Sequence, residues 1–107
     1  MESNTAVAAL AALAQHTRLA IFRLLVQRGP GGLAAGALGN ELGLAPATLS
    51  FHLKELSHAG LIQSRQEGRY VIYSTDFSTM NALLGFLTEN CCGGAPCLPA
   101  GNQESCC

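Results

Sequence analysis

Tryptophan is absent from this 107-residue chain, and two tyrosines and four phenylalanines are its only aromatics. So thin an aromatic complement argues against a sheet-rich core, where aromatic and β-branched side chains are favoured. Charge is scarce too: 12% of residues are Asp, Glu, Lys or Arg, and the net charge is −1. Bulk electrostatics therefore give no support to nucleic-acid binding, so any DNA-binding reading must rest on motif and on local placement of cations. No apolar run approaches the ~18–20 residues that span a bilayer, and the acidic start of MESNTAVAALAALAQHTRL makes a poor secretion signal. The expected location is the cytoplasm, with no membrane contact. Also lacking are a nucleophile beside a base, a glycine-rich phosphate loop and a carboxylate pair, so an enzyme is not expected. Finally, no cysteine occurs before residue 91.

What is present is mostly helical in character. Hydrophobic residues make up 49% of the chain, with alanine and leucine prominent. Asn4 suits the cap of a helix over 4–14, in which Val7, Leu10, Ala11 and Ala14 recur at helical spacing. Almost every face of that helix is apolar, which calls for burial against a partner chain. A second helix over 17–27 places Leu19, Phe22 and Val26 inward and leaves Arg18, Arg23 and Arg28 in water. RGPGG at 28–32 then breaks the chain. A short helix over 34–42 stops at Gly43, and Pro46 opens another with Leu49, Leu53 and Leu56 on one face and Gly60 as its stop. Gly39, Leu42, Gly43, Leu44 and Leu49 have the spacing of a helix-turn-helix. LIQSRQEGRYVIYS predicts two strands about a turn at 66–69. Ser78 caps a last helix to residue 89, striped by Met80, Leu83, Leu84 and Leu87. Beyond residue 90 the periodicity ends, and a mobile tail is expected in the absence of a ligand.

The run LGLAPATLSFHLKELSHAGLIQSRQEGRYVIY resembles the ArsR/SmtB family of metal-responsive repressors. Its most specific parts are Ser50, His52, Leu53 and Leu56, then AGLI, then GRYVIY; QHTRLAIFRLL is similar to that family's second helix. The likeness covers about residues 5–90. It implies a mainly α fold with a β-hairpin, a winged helix-turn-helix working as a homodimer, with 1–90 as the DNA-binding and dimerisation domain and 91–107 as a cysteine-rich flexible tail. The residues expected to meet double-stranded DNA are Ala47, Thr48, Ser50, Phe51, His52 and Lys54 on the recognition helix, and Arg65 and Arg69 at the hairpin tip. A twofold dimer sets two such helices about 34 Å apart on an inverted-repeat operator. The first and last helices are the expected dimer surface, as the resemblance also implies.

The thiols decide which signal is sensed. Many arsenic sensors of this family carry a C-x-C pair in the first helix of the helix-turn-helix, but GALGNEL holds no cysteine. Zinc sensors use Asp and His on the last helix; here that stretch offers Asp76 and Glu89 but no His. His16, His52 and His58 have no ligand spacing. All five cysteines fall in the last seventeen residues, as Cys91, Cys92 and Cys97 in a C-C-x4-C cluster and as the terminal Cys106 and Cys107. In a reducing compartment such a set favours metal binding or redox chemistry over a disulfide framework. Three thiolates suit trivalent arsenic or antimony, As(III) or Sb(III), which are soft and three-coordinate. NCC after the last helix resembles the family's arsenic sensors with C-terminal cysteines. The expected function is therefore a repressor released from its operator by As(III) or Sb(III). Two alternatives stay open: a cadmium, lead or zinc sensor using a fourth cysteine from Cys106 or Cys107, and a thiol redox switch.

Overall fold

The computed structural model describes residues 1–90 and residue 93. The elements run α1 (Ser3–Leu13), α2 (His16–Arg28), a 3-10 turn (Gly29–Gly31), β1 (Leu33–Ala34), α3 (Ala35–Leu42), α4 (Pro46–His58), β2 (Ile62–Glu67), β3 (Tyr70–Thr75) and α5 (Phe77–Leu87). This is the expected winged helix-turn-helix: helices packed together, with an antiparallel hairpin at one side. The expected cysteine tail, including Cys91, Cys92, Cys97, Cys106 and Cys107, lies outside the described residues.

The core is aliphatic. Ile21 and Leu25 of α2, Leu38 of α3, Leu56 of α4 and Leu61 beyond it are all but fully buried. Burying such a side chain contributes roughly 1.5–3 kcal/mol each. Three alanines, Ala6, Ala9 and Ala12, form the buried face of α1. Their small side chains let α1 lie close on α2, α4 and α5. Val7 and Leu10, two of the residues recurring at helical spacing, are exposed in the single chain. In α2 the buried positions are Ile21, Phe22 and Leu25, whereas Leu19 is exposed and Val26 only half-buried.

Helix boundaries follow local chemistry, with two corrections. Asn4 does not cap α1; the cap position is Glu2, which makes no side-chain cap bond. In α5 the cap is Asp76, not Ser78: its Oδ1 accepts a hydrogen bond from the Thr79 N–H at 3.1 Å, satisfying one of the first-turn donors. In α2 the side chain of Gln15 serves the same purpose, accepting from the Arg18 N–H at 2.9 Å.

The sheet has the order β1-β3-β2, and both pairings are antiparallel. β2 and β3 make the hairpin, closed by the two residues Gly68 and Arg69. β1, only two residues long, sets Leu33 opposite Tyr73 and Ala34 opposite Ile72. It brings the start of α3 against the root of the wing.

Candidate nucleic-acid interface

The turn between α3 and α4 is set by three residues. Gly43 ends α3 in the left-handed conformation, at φ 66°, where a side chain is disfavoured. The Leu44 N–H donates back to the Gly39 carbonyl at 3.0 Å and closes the turn. Gly39 itself sits so close that a Cβ there would come within 3.2 Å of the Leu44 carbonyl oxygen and 3.5 Å of Leu49. Pro46 then occupies the first turn of α4, where a missing N–H costs nothing.

α4 is anchored on one face and bare on the other. Leu49, Leu53 and Leu56 are buried, and Ala47, Phe51, Lys54 and His58 form the opposite ridge at i, i+4, i+7 and i+11, all exposed. Thr48 and Ser50 flank that ridge and are also exposed. Five of the six expected recognition-helix residues, Ala47, Thr48, Ser50, Phe51 and Lys54, thus share one open surface.

His52 does not belong to it. Only 8% of the residue is exposed, because position 52 follows Leu49 by three and precedes Leu56 by four, on the core side. Its Nδ1 lies 3.3 Å from Nη1 of Arg18, and its ring meets that of Phe51 edge-on, with centroids 5.3 Å apart. Arg18, expected in water, is half-buried, and its Nε donates to the Ala12 carbonyl at 2.7 Å. That carbonyl stands in the last turn of α1, where acceptors lack intrahelical partners. One guanidinium therefore links α1, α2 and α4.

The wing carries a second correction. Arg65 is not at the hairpin tip but within β2, opposite Ile72. Its Nη2 donates to the Gly31 carbonyl at 2.9 Å, its Nη1 to the Pro30 carbonyl at 3.4 Å, and its Nε to Glu67 at 2.6 Å. It stitches the wing to the loop after α2. Arg69 does occupy the tip, beside Gly68, and is exposed.

Among the described residues, Arg28 pairs with Glu41 and Arg65 with Glu67. Two cations are thereby neutralised locally, and Lys54 and Arg69 remain on the α4 and wing surface. Also among the described residues, no three His, Cys, Asp or Glu side chains converge as a metal site. The carboxylate of Asp76 is engaged as the α5 cap.

Residues 13–65 match the helix-turn-helix domain family. The chain is 33% identical to the transcriptional activator HlyU of Vibrio cholerae over 94 residues, 86% of this chain and 84% of that protein. Its fold is similar to that of an ArsR-like transcriptional regulator from Rhodococcus sp. RHA1, with a TM-score of 0.71 at 26% identity over 80% of this chain and 78% of the other. It is also similar to the homodimeric winged helix-turn-helix DNA-binding domain of Mb0332 from Mycobacterium bovis, a possible ArsR-family regulator, with a TM-score of 0.64 at 29% identity over 81% of each. HlyU and the Rhodococcus protein are named as transcriptional regulators, and Mb0332 as a possible one. An open recognition-type helix beside a short wing, on this scaffold and with these relatives, places the chain in the ArsR family of winged helix-turn-helix DNA-binding transcriptional regulators.

Proposed function

We propose that the protein is a homodimeric repressor that holds an inverted-repeat operator and leaves it when As(III) or Sb(III) binds Cys91, Cys92 and Cys97. The observation that carries this reading is where the thiols stand in the chain. α5 ends at Leu87, and Cys91 follows four residues later. Leu84 and Leu87 of α5 are 46% and 54% exposed, and Val7 of α1 is 63% exposed. α1 and α5 touch, and Leu84 also borders a cleft of about 330 Å3 lined mainly by Leu13, Leu19, Phe22, Met80 and Leu83, with Arg23 at its rim. A second copy would cover these exposed side chains and set two α4 helices on one side of a duplex. The homodimeric state of the Mycobacterium bovis relative supports the same assembly.

The chemistry follows from the donor set. Neutral arsenous acid, As(OH)3, condenses with three thiols: three As–S bonds form, three As–O bonds break and three waters leave. Arsenic stays trivalent, and no net proton is released. Divalent zinc or cadmium instead displaces one proton from each thiol it binds, so its capture strengthens as pH rises. A ligand gathered just past α5 acts at the dimer seam. A coupling of ~1–3 kcal/mol there changes operator affinity by about 5–150-fold.

The test is a titration of the protein–operator complex with arsenite, cadmium, zinc and peroxide. Release by arsenite, lost in Cys97→Ser while operator binding persists, is the expected result. Release by peroxide alone defeats the reading in favour of a redox switch. Release by zinc or cadmium at lower free concentration than arsenite, with proton uptake by the buffer, favours a divalent-metal sensor using Cys106 or Cys107 as a fourth ligand. Removal of residues 91–107 with the arsenite response intact excludes the tail altogether.

A further inference from the structure

The outward ridge of α4 is poor in the side chains that usually read bases. A recognition helix presents its N-terminal residues to base edges. Here those exposed residues are Pro46, Ala47, Thr48, Ser50 and Phe51, with Lys54 later in the helix. None of the first five is Arg, Asn or Gln, so the bidentate pairings of arginine with guanine and of asparagine or glutamine with adenine are not available there. The conspicuous group is apolar instead. Phe51 is 56% exposed, lies on the face opposite Leu49, Leu53 and Leu56, and has Ala47 one turn before it on the same ridge. Its ring is held edge-on by His52 at a centroid separation of 5.3 Å, and His52 is itself buried and met by Arg18. The phenyl group is thus an exposed apolar projection from the outward ridge of α4, packed on one side by His52.

The major groove offers one apolar feature, the C5-methyl group of thymine. We infer that Phe51 is a specificity-determining residue that reads a thymine methyl in each operator half-site, with Ala47 completing the apolar contact. This rests on the DNA-reading role proposed for α4 and adds the base class it selects. It assigns discrimination to methyl packing, with Thr48, Ser50 and Lys54 serving mainly as partners for phosphates.

The experiment begins with selection of bound sequences from a randomised duplex by the full-length protein. Each thymine of the selected site is then replaced by deoxyuridine, which removes the methyl and leaves the pairing edge intact. At the position served by Phe51, binding should weaken about fourfold per half-site and about fifteenfold when both halves are changed, the effect of removing one buried methyl from each. Phe51→Ala should bind the thymine and deoxyuridine duplexes equally. Because Phe51 is exposed, this variant should keep the wild-type circular dichroism and melting temperature. Phe51→Leu, apolar but smaller, should retain part of the preference. A selected site that tolerates deoxyuridine everywhere overturns the inference and leaves the DNA-reading role of α4 standing, as does a thymine preference undiminished in Phe51→Ala. Failure to enrich any sequence removes both.

Discussion

Nδ1 of His52 lies 3.3 Å from Nη1 of Arg18, a residue 34 positions earlier in the chain. Guanidinium nitrogens only donate, so in this contact Nδ1 can serve only as the acceptor. The same Arg18 side chain donates to the Ala12 carbonyl. The recognition helix is therefore tied to the α1–α2 corner by one half-buried cation. Replacing Arg18 by Leu leaves both acceptors without their donor and should cost about 1–3 kcal/mol of stability. Arg18→Lys should recover part of this, since a single ammonium cannot reproduce both arms of the fork. Urea unfolding followed by circular dichroism checks both, and a wild-type midpoint for Arg18→Leu would show the tie to be idle.

The cations of the α4 and wing surface should separate by their partners. Lys54→Ala and Arg69→Ala should each weaken operator binding across all sequences and lower the salt slope by about 1 for each phosphate no longer neutralised. Arg65→Ala should leave the slope nearly unchanged, because Glu67 and the loop carbonyls already engage that guanidinium; its effect should appear as reduced thermal stability of the wing. Gel shifts across a range of salt concentrations distinguish these outcomes.

Leu84 offers a direct test of self-association. Leu84→Glu puts a carboxylate on the exposed apolar surface of α5, where pairing of two copies would bury it at a cost in desolvation. Sedimentation equilibrium should find a dimer for the wild type and a monomer for the variant. Operator affinity should fall at least about tenfold, since one reading head remains. A wild-type protein that sediments as a monomer while binding operator tightly would rule out the twofold arrangement.

Gly32 is a point of close approach. At φ 70°, a Cβ would overlap the Tyr73 carbonyl oxygen, and that backbone, paired in the sheet, cannot step aside. Gly32→Ala should unpair β1 from β3 and cost on the order of 3 kcal/mol from combined strain and lost pairing. Loss of amide protection at Leu33 and Ala34 in hydrogen exchange would locate the damage.

The elements with the clearest phase in the sequence are the ones the structure reproduces. Leu49, Leu53 and Leu56 alternate with polar residues, so the inner face of α4 is unambiguous, and Gly43 and Pro46 bracket the turn before it. α1 is different. With apolar residues on nearly every face, periodicity carries no phase, and only packing reveals that Ala6, Ala9 and Ala12 face inward while Val7 and Leu10 do not. The same ambiguity displaced the stripe of α2 from Leu19 to Ile21 and Leu25. β1 is too short to leave a pattern. His52 and Arg65 are both governed by partners more than thirty residues away, Arg18 for one and the Pro30 and Gly31 carbonyls for the other. The core-side position of His52 is legible in its spacing from Leu49 and Leu56, and Glu67 stands two residues from Arg65, but the distant partners leave no local pattern. Asp76 and Ser78 are both good caps two residues apart, and propensity alone does not choose between them; the chain uses Asp76.

The pairing of Arg28 with Glu41 and of Arg65 with Glu67 has a cellular consequence. A genome is a vast reservoir of weak, charge-driven sites that ordinarily soak up basic regulators. A reader with so little spare positive charge is poorly retained there, so more of it stays available for its operator. Its occupancy of that operator should also shift little during osmotic stress.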